Sequence, residues 1–183
     1  AHDAAKLKAD PENKLHWRRT PARLEAEVIR DSILKVSGRL DERMFGAGTL
    51  DERMLRRSIY FMIKRSKLIP SMQLFDSPEP LVSQGSRPVT IIAPQALHFM
   101  NNGQVRASAM ELARLLKAQP DTAAAVTLGY QTVLGRAPTP KEQKSIASFI
   151  DVQEKSYTNN GRELALADFV QVLFGLNEFI YVQ

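Results

Sequence analysis

The sequence has 183 residues, contains no cysteine and carries a formal net charge of +5. This length fits one domain with its own core, and the lack of cysteine excludes disulfides, thiolate zinc ligands and covalent haem attachment within the chain. The charge is mild for the length, so a solvated basic surface is favoured over a dedicated nucleic-acid binder. No run of about 18 apolar residues is present, so no membrane-spanning helix is predicted.

Residues 1–19 are predicted to form a polar N-terminal extension of a single helical domain that covers residues 1–183. The extension carries the only tryptophan, Trp17, followed by Arg18 and Arg19. Large aromatic side chains usually serve packing, so we expect Trp17 to anchor the extension on the first turns of the next helix. A ligand-binding platform at Trp17 is the alternative.

The strongest helix signal covers residues 20–38. Thr20 suits the N-cap, Pro21 the first helical position, and Gly38 the left-handed residue that often follows a helix. At the helical period, apolar residues fall on two sides of this segment. One side holds Ala22, Ala26, Ile29, Ile33 and Val36, and the other holds Leu24, Val28 and Leu34. We therefore expect neighbouring elements to cover both sides of this helix.

Two copies of LDERM follow, at residues 40–44 and 50–54. Their Asp-Glu pairs could supply a general acid and base, or oxygen ligands for a metal ion. Each pair is followed directly by an arginine, however, and this pattern favours surface turns that neutralise their own charge.

A short apolar run at residues 59–63 is bracketed by the cations Arg56, Arg57, Lys64 and Arg65. Its β-branched and aromatic residues predict a buried strand, although periodicity does not exclude a helix. The strand could pair with residues 89–92 in a small β element, unless those residues simply lead into the next helix. The cations resemble a phosphate-binding rim, so nucleic-acid binding through residues 53–67 is an alternative. Charged ends of a buried segment are the favoured interpretation.

Residues 68–88 are predicted to form a long irregular loop that contains Asp76, because four prolines and one glycine interrupt them. The remaining half of the chain is predicted to be helical. Helices are expected at residues 94–101 and 104–118, from the Asp121 cap to Gly135, after the Thr139 capping box, and after Gly161. The predicted fold is mainly α, with bundle-like orthogonal helix packing and at most a small two-stranded β element at residues 59–63 and 89–92.

Five blocks of the sequence resemble a known family, in the same order along nearly the whole chain. They are WRRTPARLEAEVIRDSILKVSGRLD, RRSIYFMIKRSKLIPSMQLFDSPEP, RPVTIIAPQALHFMNN, YQTVLGRAPTPKEQ and LNEFIYV. Together they resemble the C-terminal part of a planctomycete-type domain of unknown function, DUF1553. The resemblance covers only the later part of that domain, so an earlier part is expected before residue 1.

The resemblance implies what kind of protein contains such a domain, but it implies no reaction. Members are typically large exported proteins of Planctomycetes and their relatives, often with an upstream domain that resembles c-type cytochromes. This implies an extracytoplasmic location and a link to electron transfer or to polysaccharide use at the cell surface. No catalytic residues are established for the family, so none are transferred to this chain. No cofactor is expected here, and haem could be bound only by an upstream domain.

The sequence contains no glycine-rich phosphate loop, nucleophile elbow or HExxH motif. We therefore expect a non-catalytic module that docks on the preceding portion of the family domain or on another protein. A glycan-handling or hydrolytic site shared with the missing portion is the alternative, and polysaccharide would then be the partner. Nucleic acid is the least favoured partner. The candidate surface residues are Trp17, Arg18, Arg19, Glu25, Arg56, Arg57, Lys64, Arg65 and Asp76.

Overall fold

The computed structural model describes residues 3–182. Within that range the helices are α1 (Ala4–Ala9), α2 (Ala26–Val36), α3 (Pro70–Leu74), α4 (Ala93–Asn101), α5 (Gly103–Lys117), α6 (Thr122–Leu134), α7 (Pro140–Ser156), α8 (Gly161–Phe174) and α9 (Asn177–Ile180). Strands β1 (Ala22–Arg23) and β2 (Tyr181–Val182) pair antiparallel, with Ala22 opposite Val182. The prediction of a mainly α fold with a small two-stranded β element is confirmed. Part of the loop predicted at residues 68–88 is helical, as α3.

Helix α8 lies at the centre of the core. It packs mainly against α5 and α7 and also contacts α4, α6 and α9, so side chains all around it are buried. Apolar burial of this kind is the dominant favourable contribution to folding. The largest fully buried apolar side chains of the domain are Phe99, Leu112, Leu116, Val126, Ile150, Leu166, Phe169, Val170, Leu173 and Phe174.

Local capping signals in the C-terminal half place the helix ends as predicted. Asp121 accepts a hydrogen bond from the Ala124 amide at the start of α6, and Gly135 ends this helix with a positive φ of 70°. Thr139 and Glu142 form the expected capping box at the start of α7. These ends depend on residues a few positions apart, which is why the sequence alone predicts them.

The β element lies elsewhere than predicted. Residues 58–60 form a 3₁₀ turn, and residues 89–92 contain no strand. Ile59 and Ile63 are 75% and 85% exposed, so the apolar run is not a buried strand. Instead of pairing with residues 89–92, Tyr60 and Met62 exchange backbone hydrogen bonds with Thr49. A short apolar run does not by itself determine burial.

Helix α2 begins at Ala26, several residues later than the Thr20-Pro21 signal predicts. The preceding residues pair with the C-terminal end of the described chain, where the Leu24 amide donates to the Ile180 carbonyl at 2.8 Å. This long-range pairing replaces the first helical turns, and Glu25 at the N-cap makes no side-chain capping bond. The predicted end is confirmed, because Gly38 follows the helix with a φ of 71°.

Only one side of α2 is fully covered. Ala26, Ile29, Ile33 and Leu34 are buried, whereas Val28 is 43% exposed. The prediction that neighbours cover both sides therefore holds for Leu34, which is only 4% exposed on the second side, and is wrong for Val28. That open side faces the groove described below.

The N-terminal extension has its own local structure. Trp17 is half-buried, and its indole N–H donates to the Asp10 carbonyl at 2.9 Å, within the segment that follows α1. Trp17 is not among the side chains that pack against the core. The expected anchoring of Trp17 on α2 is therefore not found.

Candidate functional site

A groove of about 700 Å³ runs along the open side of α2. Its floor is formed by Glu27, Val28, Asp31, Ser32 and Lys35. These residues recur at the spacing that places side chains on one face of a helix. The same helix therefore contributes its opposite face to the core and this face to the groove.

Two irregular segments and a short helix form the walls of the groove. Residues 57–59, 61–64 and 67–69 contribute to the lining, and so do Met72 and Gln73 of α3. Ser77, Pro78, Pro80 and Arg87 of the following loop complete the lining. The segment predicted as a buried strand and the segment predicted as a long irregular loop thus meet at one site.

Two adjacent charged residues of α2 hold in place the segment at residues 57–64, which is the first wall of the groove. The Asp31 carboxylate accepts hydrogen bonds from the backbone amide and the hydroxyl of Ser58, at 2.8 and 2.7 Å. Arg30 donates to the Arg56 carbonyl at 3.0 Å and stacks on the ring of Phe61, 4.7 Å from its centroid. Burial lowers the pKa of Arg30, and the charge of Asp31 opposes this shift. These contacts preorganise the wall before any ligand arrives.

Arg87 fastens the opposite loop to the start of α2. Its guanidinium donates to both carboxylate oxygens of Glu27, at 2.8 and 3.0 Å, and lies 3.3 Å from Glu25. Partial burial acts to raise the pKa of Glu27, but the hydrogen bonds and charge of Arg87 outweigh it, so the pKa is lowered. Glu27 is therefore an ionised anchor and does not have the raised pKa that suits a general acid.

Apolar side chains of the groove are open to solvent. Val28, Ile59, Met62 and Ile63 line it and are between 43% and 85% exposed. Scattered apolar residues are ordinary on a protein surface, but grouped ones lining a concave site are typical of binding surfaces. Sequence reasoning did not predict this group, because Val28 and the run at residues 59–63 were both expected to be covered.

The predicted site residues lie in several different parts of the structure. Glu25, Arg57 and Lys64 line the groove. Arg56 does not, because its guanidinium donates to the carbonyls of residues 43, 45 and 47 and stacks on Tyr60. Arg65 is exposed outside the groove lining.

The remaining predicted residues lie outside the groove lining. Trp17, Arg18 and Arg19 belong to the extension, where the Arg18 guanidinium lies 5.4 Å from the centroid of the Trp17 ring. Asp76 pairs with Arg23. The cleft of convergent charges proposed for a glycan-handling or hydrolytic site is thus not formed by Arg18, Arg19 and Asp76.

Asp76 forms a buried brace with Arg23 and Thr90. The Asp76–Arg23 pair measures 2.6 Å, and these side chains are only 12% and 4% exposed. Asp76 also accepts hydrogen bonds from the amide and hydroxyl of Thr90, at 2.8 and 2.9 Å. Burial acts to raise the pKa of Asp76, but the bonds from Thr90 and Arg23 lower it overall. Asp76 is therefore an ionised structural group.

The two LDERM copies form the self-neutralising turns that their pattern favours. Asp41 accepts bonds from the amide and guanidinium of Arg43, and Asp51 does the same with Arg53. The Arg43 guanidinium is the main cause that lowers the pKa of Asp41 to about 2. Within residues 3–182, no three His, Asp or Glu side chains are grouped so that they could hold a metal ion.

A second, much smaller cavity lies between α2, α3, α4 and α5. Its volume is about 50 Å³, and Arg30, Glu52, Ser71 and His98 are among its lining residues. Among residues 3–182, the buried Ser71 hydroxyl has no hydrogen-bond partner. Burial lowers the pKa of His98, against the opposing charge of Glu52. A cavity of this size has room for one or two water molecules at most and is too small for an organic ligand.

Comparisons with known proteins give one result. Neither the curated proteins nor the solved structures include a match to this chain. A family model described as a protein of unknown function (DUF1553) matches residues 1–150, which include both walls and the floor of the groove. The block LNEFIYV lies beyond the matched residues. With 150 of its 183 residues matched, the chain belongs to the DUF1553 family of proteins of unknown function.

Proposed function

We propose that this chain is a non-catalytic helical interaction module that binds another polypeptide in the groove along α2. The observation that carries the proposal is the group of solvent-open apolar side chains, Val28, Ile59, Met62 and Ile63, in one concave site. The proposed ligand is a polypeptide segment, from another part of a larger protein or from a separate protein.

The groove is suited to binding in two respects. Its first wall is held by Arg30 and Asp31, so little ordering of the backbone is required when a ligand binds. Complete burial of Ile59 and Ile63 would contribute on the order of 1.5–3 kcal/mol each. Such terms offset part of the association cost of about 4–15 kcal/mol, so a modest affinity is expected from this groove.

The carboxylates of the groove support binding in preference to hydrolysis. Glu25 and Glu27 are paired with Arg87, and Asp31 is hydrogen-bonded to Ser58. A general acid needs a carboxyl group with a raised pKa, whereas the pKa of Glu27 is lowered. For this reason we do not propose the shared glycan-handling or hydrolytic site.

Location and wider role are proposed from the family resemblance alone. We place the chain outside the cytoplasm, as part of a larger exported protein with a role in surface electron transfer or polysaccharide use. Within residues 3–182, no helix has the length and hydropathy needed to cross a bilayer.

Selection of displayed peptides tests the proposed function. Random dodecapeptides on phage are selected on the immobilised chain and then assayed on a groove variant, Ile59→Ser with Ile63→Ser. Both side chains are largely exposed, so the variant should fold normally. The selected peptides are expected to bind the wild-type chain and to lose at least about tenfold in affinity for the variant.

The matched control is Ile91→Ser with Met100→Ser, two apolar residues that are 80% and 68% exposed and lie outside the groove lining. Selected peptides should bind this control as they bind the wild-type chain. Peptides that bind all three proteins equally, or a selection that yields none, would contradict the proposal.

A further inference from the structure

The groove contains two lysines that form no ion pair with the residues that the structure describes. Lys64 and Lys67 line it and are exposed, and among residues 3–182 neither has a carboxylate within 4.0 Å. Arg57, which is 63% exposed, lies 3.8 Å from Asp31, a carboxylate already bonded to Ser58. A ligand that enters the groove therefore meets positive charges with free hydrogen-bonding capacity.

The two lysines are held together by one tight turn. The Lys67 amide donates to the Lys64 carbonyl at 3.0 Å, and the two residues form an isolated antiparallel bridge. This turn follows directly after Met62 and Ile63, so the cations and the apolar group are adjacent in the lining. The site thus combines an apolar surface with a neighbouring basic one.

The acidic residues of the groove, unlike its lysines, already have bonding partners. Glu25 and Glu27 share the guanidinium of Arg87, and Asp31 accepts two hydrogen bonds from Ser58. A basic ligand would have to compete with these partners, whereas an acidic ligand would find Lys64 and Lys67 available. Complementary charge of this kind favours one class of partner and disfavours the opposite class.

We infer that the groove binds an acidic polypeptide segment, in which aliphatic side chains contact Val28, Ile59 and Ile63 while neighbouring carboxylates pair with Lys64 and Lys67. This inference rests on the proposed function and specifies its partner. A nucleic acid is also acidic, but its bases bind by stacking on aromatic side chains. The exposed apolar residues of this groove are aliphatic or methionine, and Arg53 and Arg56 of the basic segment are engaged within the chain.

Two biased peptide libraries test this inference. Both display dodecapeptides with the same aliphatic positions, and they differ only in whether the charged positions hold Asp and Glu or Lys and Arg. Selection on the wild-type chain is expected to recover the acidic library in at least about tenfold excess. For recovered peptides, Lys64→Gln with Lys67→Gln should raise the dissociation constant about threefold to tenfold at physiological salt, because exposed ion pairs are individually weak.

The matched control neutralises two exposed cations of α7 that lie outside the groove lining, Lys141→Gln with Lys144→Gln. It removes the same formal charge, so a general effect of net charge would appear in it too. The inference predicts that this control leaves the dissociation constant unchanged.

The possible outcomes of these experiments distinguish a failure of the acidic preference from a failure of the proposed peptide binding. Equal recovery of both libraries, with binding still lost in the Ile59→Ser and Ile63→Ser variant, would overturn the acidic preference and leave the groove as a peptide site. Peptides that bind the wild-type chain and the Ile59→Ser and Ile63→Ser variant equally well would overturn both the acidic preference and the proposed function. A single-stranded oligonucleotide that displaces the peptides with a steep salt dependence would replace the acidic polypeptide with nucleic acid.

Discussion

Gly129 of α6 packs directly against Phe169 of α8. A Cβ atom at this position would be 2.7 Å from Cε1 of Phe169 and 3.4 Å from Cδ1 of Leu116. Both neighbouring side chains are fully buried, and the Phe169 ring also stacks on Tyr130, with 6.1 Å between ring centroids. The ring has little room to move aside, so only a hydrogen atom fits at residue 129.

Gly129→Ala should therefore destabilise the domain, although alanine is the better helix former. Overpacking of a core costs about 1–3 kcal/mol, against a gain in helix propensity of about 1 kcal/mol. We expect a net loss in the free energy of unfolding, measured by urea denaturation. Gly103→Ala is the control, because no atom lies within 4 Å of its added Cβ. Equal stability of the two variants would refute the close approach of α6 and α8.

The brace between Arg23, Asp76 and Thr90 connects three parts of the chain. Arg23 belongs to β1, Asp76 follows α3, and Thr90 precedes α4. Arg23 also donates to the Phe75 carbonyl at 3.2 Å. Since the Arg23 side chain is only 4% exposed, its charge depends on Asp76 for compensation.

Asp76→Asn removes that charge while keeping a similar shape and tolerance of the positive φ of 62° at this position. Leaving a buried guanidinium without its carboxylate should cost about 3 kcal/mol at neutral pH. Because folding lowers the pKa of Asp76, the wild-type advantage should shrink as the pH falls below about 4, where the unfolded carboxyl is protonated. Denaturation curves across this pH range measure both effects.

Asp51→Asn serves as the comparison for Asp76→Asn. Asp51 pairs with Arg53, but these side chains are 52% and 79% exposed, so no measurable loss is expected. A loss as large as that of Asp76→Asn would show that burial of the brace is not the reason for its effect.

The ends of the helices show which structural features can be predicted from the sequence. The ends of α6 and α7 depend on local caps such as Asp121, Thr139 and Gly135, and these predictions are confirmed. The start of α2 depends instead on pairing between β1 and β2, which are far apart in sequence. Local signals at Thr20 and Pro21 could not reveal that competition, because tertiary pairing overrides local preference.

The groove is a property of the whole molecule, and the sequence predicted only some of its residues. Glu25, Arg57 and Lys64 were predicted as surface residues and do line it. Val28 and Ile63 were assigned to covered faces, because their apolar character alone does not show whether a neighbour is present. The useful signal was the run of cations around residues 59–63, because two of them, Arg57 and Lys64, line the groove.

Helix α2 contributes to the core and to the binding surface at the same time. The buried face of α2 carries Ile29 and Ile33, while Asp31 holds the adjacent wall from the face that lines the groove. Ligand binding is therefore expected to affect the wall segments and to leave the α5–α8 core unchanged.

Hydrogen–deuterium exchange of the chain, with and without a peptide recovered by selection, tests the central claim most directly. The account predicts slower exchange in residues 57–69 and 77–87 when the peptide is bound, with no change in α7 or α8. Slower exchange confined to α4, α7 or α8, or no change anywhere with the peptide bound, would contradict the claim that the groove along α2 is the binding site.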